Sequence, residues 1–318
     1  MGVLPVVTCY PDYYPAFGCT ASRCKHNCCI GWEIDIDPVS LARYQAAEGP
    51  MGERLHDCIA QGKEPHFILG EEERCPFLNG ENLCDLILYG GEEMLCQICT
   101  DHPRFRNFLP GRTEIGVGLC CEAAAHLILS QRDPVRLCLT GEPEGETEDA
   151  EELLEARDLA LAIAQDRSIP VTQREVRLLD AFGCRMPDLT PARWAEFFLG
   201  LERMDEGWTA RLEVLRDYES DLDPDIFGAH MEDRQTEYEQ LLVYFLYRHF
   251  PAAYEDGDMR SKVAFAVLSV RLLRWLGALH RKIQGDFTPE NQEELARMYS
   301  AEVEYSQENL DFLFDTQS

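Results

Sequence analysis

Val263-Ala-Phe-Ala-Val-Leu-Ser-Val270-Arg-Leu-Leu273-Arg-Trp-Leu276-Gly-Ala-Leu279 puts Val263, Val267, Val270, Leu273 and Leu276 to Leu279 three or four residues apart. That is the spacing of one apolar face of an α-helix. The run ends in His280-Arg281-Lys282, cations that suit the negative end of a helix dipole. Its most apolar part, Val263 to Val270, is eight residues long, well short of the roughly 20 needed to cross a bilayer. No membrane span is predicted.

Working outward, the same periodicity recurs. Tyr238, Leu241, Leu242, Phe245 and Leu246 make a second face, and Leu153, Leu154, Ala156, Leu159, Ala160 and Ile163 a third. Thr190-Pro191 ahead of Trp194, Phe197, Phe198 and Leu201 reads as an N-cap with proline at the first helical position. These stripes predict the core of a helical bundle rather than a cofactor box. The expected fold is mainly α, with a C-terminal helical bundle over residues 141–318.

The first half is different. It is more irregular, with short strands and hairpins: Trp32-Glu-Ile-Asp-Ile-Asp37 alternates like a strand, and Asp37-Pro38 opens a helix running to about Glu48. His66 to Leu69 and Cys75 to Leu78 flank a charged turn, Asn79-Gly80 is a turn dipeptide, and Phe108-Leu-Pro-Gly-Arg112 separates two extended stretches. Helical patterning resumes from Cys121 to Leu129. Gly141-Glu-Pro-Glu-Gly-Glu-Thr-Glu-Asp149 has no apolar residue and no cation, the composition of a linker or a fraying helix start. It sets the predicted boundary between a module of residues 1–140 and the acidic helical region 141–318.

The chain has 318 residues, 45% of them hydrophobic and 27% charged, enough for a substantial core and incompatible with wholesale disorder. Its formal net charge is −29, so a nucleic-acid backbone would be repelled over most of the surface. Residues 1–140 contribute −8 and residues 141–318 contribute −21. The N-terminus, Met1-Gly-Val-Leu-Pro-Val-Val-Thr-Cys9, carries no secretory pattern, which predicts a cytoplasmic protein.

Thirteen of the 14 cysteines fall in residues 1–140. In a reducing compartment such thiols are metal ligands or redox groups more readily than disulfides, although an even number leaves a disulfide framework as an alternative. The order is Cys19-x4-Cys24-x3-Cys28-Cys29, then Cys75-x8-Cys84, Cys96-x2-Cys99 and Cys120-Cys121. Closely spaced thiolates within a turn, completed by thiolates from distant segments, make a soft shell suited to zinc or an iron–sulfur cluster. Spacing does not choose between the two. No Gly-rich nucleotide fingerprint accompanies them; Gly116-Val-Gly118 does not continue.

These segments resemble the flagellin lysine-N-methylase (FliB) family, with its CxxCxxCC-type zinc- or iron-chelating domain. The resemblance rests on Phe17-Gly-Cys19, Cys24, Cys28-Cys29-Ile-Gly-Trp32, Ile36-Asp37, Cys75-Pro-Phe-Leu78, Leu83-Cys84, Cys99-x-x-His102-Pro-Arg104 and Gly118-Leu-Cys-Cys-Glu122 leading into Leu127-Ile-Leu129. It implies transfer of methyl groups from S-adenosylmethionine to lysine ε-amines of flagellin, with a 4Fe-4S cluster. By position it makes Cys19, Cys24, Cys28, Cys29, Cys75, Cys84, Cys99 and Cys121 the candidate ligands. Cys120 is then the spare of its pair, and Cys9, Cys58, Cys96, Cys138 and Cys184 fall outside the pattern as buried apolar thiols. One cluster needs four thiolates at most. An incompletely ligated iron could chelate the amino and carboxylate groups of S-adenosylmethionine. Asp101, His102 and Tyr44 are equivalent candidates for a general base. Trp32 is expected to pack over the metal region, and Arg104 and Arg106 to pair with carboxylates. Two other readings use the same thiols: a zinc- or iron-chelating interaction protein without enzymatic activity, and an iron–sulfur redox carrier.

Overall fold

The computed structural model describes residues 7–141, 150–186, 190–218, 222 and 224–316. In chain order its elements are β1 (Val7–Pro11), α1 (Pro38–Gln45), α2 (Gly49–Asp57), β2 (Ile59–Ala60), β3 (His66–Phe67), α3 (Asp85–Gly90), α4 (Gln97–Asp101), β4 (Arg104–Leu109) and β5 (Arg112–Val117). There follow α5 (Glu122–Leu129), β6 (Leu137–Thr140), α6 (Glu151–Ala164), α7 (Val171–Phe182), α8 (Pro191–Leu199), α9 (Glu206–Asp217), α10 (Pro224–His230) and α11 (Gln235–His249). The last are α12 (Ala253–Asp256), α13 (Met259–Gln284), α14 (Pro289–Tyr299) and α15 (Gln307–Asp315). The fold is mainly α, as the periodicity predicts.

Two compact units divide the chain: Met1–Phe17 with Phe105–Ser318, and Gly18–Arg104. This is not the division predicted at 140/141. The reason is strand pairing at long range, which charge and cysteine counts along the sequence do not register. β1 runs parallel to β5, Cys9 opposite Glu114, and antiparallel to β6, Cys9 opposite Leu139. The sheet order β4-β5-β1-β6 therefore commits residues 105–140 to the same unit as the helices. The predicted linker lies almost wholly outside the described residues.

In the first of these units, called the helical unit here, α13 is the central element and packs against α7, α11, α14 and α15. Asp258 caps it, accepting from Arg260 N at 3.0 Å and Ser261 N at 3.1 Å, and Gly285 ends it with φ +86°. Gly277 is required inside it: a Cβ there would meet Phe227 Cζ at 2.9 Å and Phe287 Cζ at 3.0 Å. At 26 residues α13 is long and apolar enough to span a bilayer by length and composition, but 78% of its apolar window is buried within the protein. The N-cap predicted at Thr190-Pro191 is present, Thr190 Oγ1 accepting from Arg193 N.

The second unit, Gly18–Arg104, has its own core of Ile34, Ile36, Tyr44, Leu55, Phe67, Phe77 and Leu86, with Cys75 and Cys96 among them. The predicted strand at residues 32–37 is reduced to isolated pairing, with Phe67 N donating to Ile34 O and Ile36 N to Pro65 O. The helix opened by Asp37-Pro38 stops at Gln45, and Gly49-Pro50 starts another.

Candidate metal centre

Local turns bring distant thiols together in the unit Gly18–Arg104. Asn27 Oδ1 accepts from Cys29 N at 2.9 Å and so fixes the turn that presents Cys28 and Cys29. Cys75 N donates to Cys29 O at 2.8 Å, and Ile30 pairs antiparallel with Arg74, which lays the second cysteine segment along the first. Asn79 then closes a tight loop, its Oδ1 accepting from Glu81 N and Leu83 N, so that Leu78 bridges Cys84 and Asp85 N donates to Phe77 O. Arg54 locks this loop from outside: it pairs with Asp85 at 2.6 Å and lies 5.0 Å over the Phe77 ring.

The Cys96-Cys99 segment is anchored by α1. Asp37 caps α1 by accepting from Val39 N and Ser40 N, and its other oxygen accepts from Gln97 N at 2.8 Å at the start of α4. Arg43 donates to Leu95 O and the Tyr44 hydroxyl to Met94 O. Tyr44, predicted as a candidate base, is thus a buried strut, its phenol pushed well above the usual range by burial.

Mutual electrostatic effects connect six thiols, Cys28, Cys29, Cys75, Cys84, Cys96 and Cys99, although no three of their sulfurs lie within 4.8 Å of one another. Cys96 and Cys99 share a hydrogen bond with their sulfurs 3.5 Å apart. The hydrogen bond with Cys99 outweighs burial and lowers Cys96 to about 7. Cys28 is lowered to about 7 in the same way by Cys29. Cys99 is raised by its bond to Cys96, by burial, and by the charges of Cys96, Cys29 and Cys75. Cys29 is raised by its bond to Cys28, by burial, and by Cys28, Cys75 and Cys84. Cys75 is pushed up to about 11 by burial, with Cys84 and Cys96 adding to it. These mutual fields link segments up to 70 positions apart in sequence, from Cys29 to Cys99.

All fourteen cysteines are free thiols, so the disulfide framework is overturned. A separation of 3.5 Å is far beyond the roughly 2.05 Å of a sulfur–sulfur bond. It lies close to the roughly 3.8 Å expected for two thiolates on one tetrahedral zinc with bonds of about 2.3 Å. The Cys96–Cys99 pair therefore suits two thiolates on one soft metal ion.

The sequence-predicted ligands divide. Cys28, Cys29, Cys75, Cys84 and Cys99 belong to the electrostatically linked set. Cys19 Sγ accepts from Ala21 N and Cys24 Sγ donates to His26 O, local contacts within the turn ahead of Cys28. Cys121 lies in the helical unit as the N-cap of α5. Cys96, set outside the predicted pattern, is fully buried and paired with Cys99; the Cys96-x2-Cys99 spacing was its signal. Trp32 packs at 6.0 Å from His102, as expected of a packing residue, and burial lowers the His102 imidazole pKa.

The motif Gly118-Leu-Cys-Cys-Glu122 meets a buried polar network in the helical unit that sequence patterning did not reveal. Leu119 N donates to the Tyr244 hydroxyl, which donates to Glu304 Oε2 at 3.0 Å. Arg248 Nη1 donates to the same hydroxyl at 2.7 Å, and its guanidinium lies 5.1 Å from both the Phe105 and Tyr305 ring centres. A π-helical turn over Ser300–Glu304 positions Glu304. Cys120, hydrogen-bonded with Tyr305, is pushed up to about 12 by burial.

Residues 188–317 match the family model described as the FliB lysine N-methylase C-terminal domain. Over those residues the chain is similar to the FliB family. The lysine-N-methylase of Salmonella typhimurium is 25% identical over 134 residues, covering 40% of this chain and 33% of that protein. The flagellar biosynthetic protein FliU of Salmonella muenchen is 25% identical over the same length, covering 79% of that protein. The alignment thus spans about a third of the curated lysine-N-methylase. No solved structure matches.

Proposed function

We propose that this protein is a cytoplasmic lysine N-methylase that takes its methyl group from S-adenosylmethionine and acts on flagellin. The supporting observation is the C-terminal match over residues 188–317, together with relatives named lysine-N-methylase and flagellar biosynthetic protein. The charge of the chain is consistent with a lysine-bearing partner: −29 overall attracts cationic proteins at long range. A lysine attacks only as the neutral amine, and carboxylates raise its pKa. Steering and proton removal therefore belong to different parts of the surface.

In this reading the thiols of Gly18–Arg104 hold a metal centre. Bound there, the metal supplies folding free energy to a unit whose core is small. Family resemblance favours a 4Fe-4S cluster. The 3.5 Å between Cys96 and Cys99 sulfurs favours zinc at that pair, because a cluster takes one thiolate per iron whereas zinc gathers several on one ion.

The test incubates the purified full chain with flagellin and S-adenosylmethionine and searches tryptic peptides for methyllysine by mass spectrometry. Methylated lysines that require both protein and cofactor are expected. Unmodified flagellin overturns the reading and leaves the interaction-protein and redox alternatives, which anaerobic absorbance and metal analysis separate.

A further inference from the structure

A groove of about 370 Å³ opens in the helical unit beside β5, β6 and α6. Its polar residues include Arg112, Arg157, Asp158 and Gln165, and its apolar wall includes Leu137 and Leu161.

Most of the polar capacity is already committed. Glu114, fully buried, takes Arg112 Nη2 at 2.7 Å and also Arg157 Nη1 on the same oxygen. Arg157 Nη2 goes to Asp158 Oδ1 at 2.8 Å, and Arg112 Nη2 also donates to Cys9 Sγ at 2.8 Å. Gln165 Nε2 donates to Val135 O at 3.3 Å. Three buried atoms remain without a partner: the donor Arg112 Nε and the acceptors Gln165 Oε1 and Glu114 Oε2. Native proteins leave few such atoms unpaired, and a cluster of them beside a groove marks a place where something polar binds.

The pattern specifies the ligand. An orphan guanidinium donor asks for a carboxylate. An orphan amide acceptor, with the Asp158 carboxylate at the rim and 65% exposed, asks for an ammonium. Arg112 and Arg157 balance Glu114 and Asp158, so the site suits a zwitterion better than a phosphate or a polyamine. Leu137 and Leu161 supply an apolar surface for an aliphatic chain.

We infer that this groove binds the head group of an α-amino acid: carboxylate on the Arg112 guanidinium, ammonium on Gln165 Oε1, aliphatic chain along β6 and α6. Arg112 Nε and Gln165 Oε1 are both closed off from the groove, so small turns of both side chains complete the contacts. Two sources carry that chemistry, a free aliphatic amino acid and the methionyl part of S-adenosylmethionine. We assign the second, and this choice rests on the methylase reading above.

Isothermal titration calorimetry on the full chain tests it, with S-adenosylmethionine, S-adenosylhomocysteine, methionine and inorganic phosphate as probes. Both adenosyl compounds are expected to bind, phosphate is not, and Gln165→Leu and Arg112→Lys should each weaken binding about tenfold or more. Arg112→Lys retains the charge facing Glu114, and thermal melts of both variants establish that the fold is kept. Binding of methionine as tight as that of S-adenosylmethionine supports the amino-acid site and overturns its assignment to the cofactor. Absence of binding by all three amino acids, or binding indifferent to both substitutions in folded protein, overturns the inference. Flagellin methylation that persists in both variants at limiting cofactor sinks the groove assignment alone; groove binding without methylation sinks the methylase reading alone.

Discussion

Cys96 Sγ stands 3.5 Å from Cys99 Sγ at the start of α4, with Cys96 fully buried. A pair at that distance is poised to share one metal ion, and Cys28, Cys29, Cys75 and Cys84 would have to move inward for any of them to complete its shell. Cys99→Ala is therefore expected to lower the bound zinc or iron per chain, measured by plasma mass spectrometry, and to lower the melting temperature. Removing metal from the wild type with a chelator should reproduce the loss of stability. Cys184→Ala, in the helical unit, should leave metal content unchanged; equal metal in Cys99→Ala and wild type contradicts the centre.

Asp37 links two helices through one carboxylate. Burial pushes its pKa up, but hydrogen bonds from Ser40, Gln97 and Val39 N–H together outweigh burial and hold it at about 2, below the ordinary 3.8. A carboxyl depressed in the folded state contributes stability that is present above pH 3.8 and lost as pH falls toward 2. Asp37→Ala should cost about 1 kcal/mol at neutral pH through the lost cap. Urea titrations of both proteins, at neutral pH and below pH 3, check whether the difference shrinks in acid.

Much of the helix content was legible because helix signals are local. Thr190-Pro191 and Asp37-Pro38 each announce a cap within three residues, and the apolar stripe from Val263 repeats along a single element. The unit boundary was not legible, since Cys9 meets Glu114 and Leu139 only by strand pairing across more than 100 residues. The thiols were recognisable as a set, but their grouping depends on turns at Asn27 and Asn79 that spacing does not encode. The groove is built from ordinary residue types, Arg112 and Gln165, that acquire meaning only when buried beside one another.

Glu239 is 1% exposed and binds two arginines, Arg174 at 2.6 Å and Arg167 through a two-pronged contact. Removing one member of a buried ion pair strands the other. Glu239→Ala should destabilise the protein by about 3–5 kcal/mol. Arg167→Ala should cost much less, because that side chain is 37% exposed and can turn to water. Guanidinium unfolding curves followed by tryptophan fluorescence rank the two; equal costs contradict the argument.

Acid should also unsettle the network at His249 and Glu304, whose side chains meet at 2.6 Å. Burial pushes Glu304 up, but Arg248 and the hydrogen bond from His249 more than offset it, so its pKa is lowered from 4.5. His249 is lowered from 6.5, chiefly by burial and further by the cations Arg248 and Lys262, against the opposing pull of Glu304. Both groups therefore bind protons more tightly in the unfolded chain. The His249 contribution is complete above pH 6.5 and declines as pH falls through that value; the Glu304 contribution declines below 4.5. Scanning calorimetry should show a melting temperature that drops from pH 7 to 5.5. His249→Gln, which keeps a donor for Glu304 and does not titrate, should flatten that first drop and retain the one below pH 4.5.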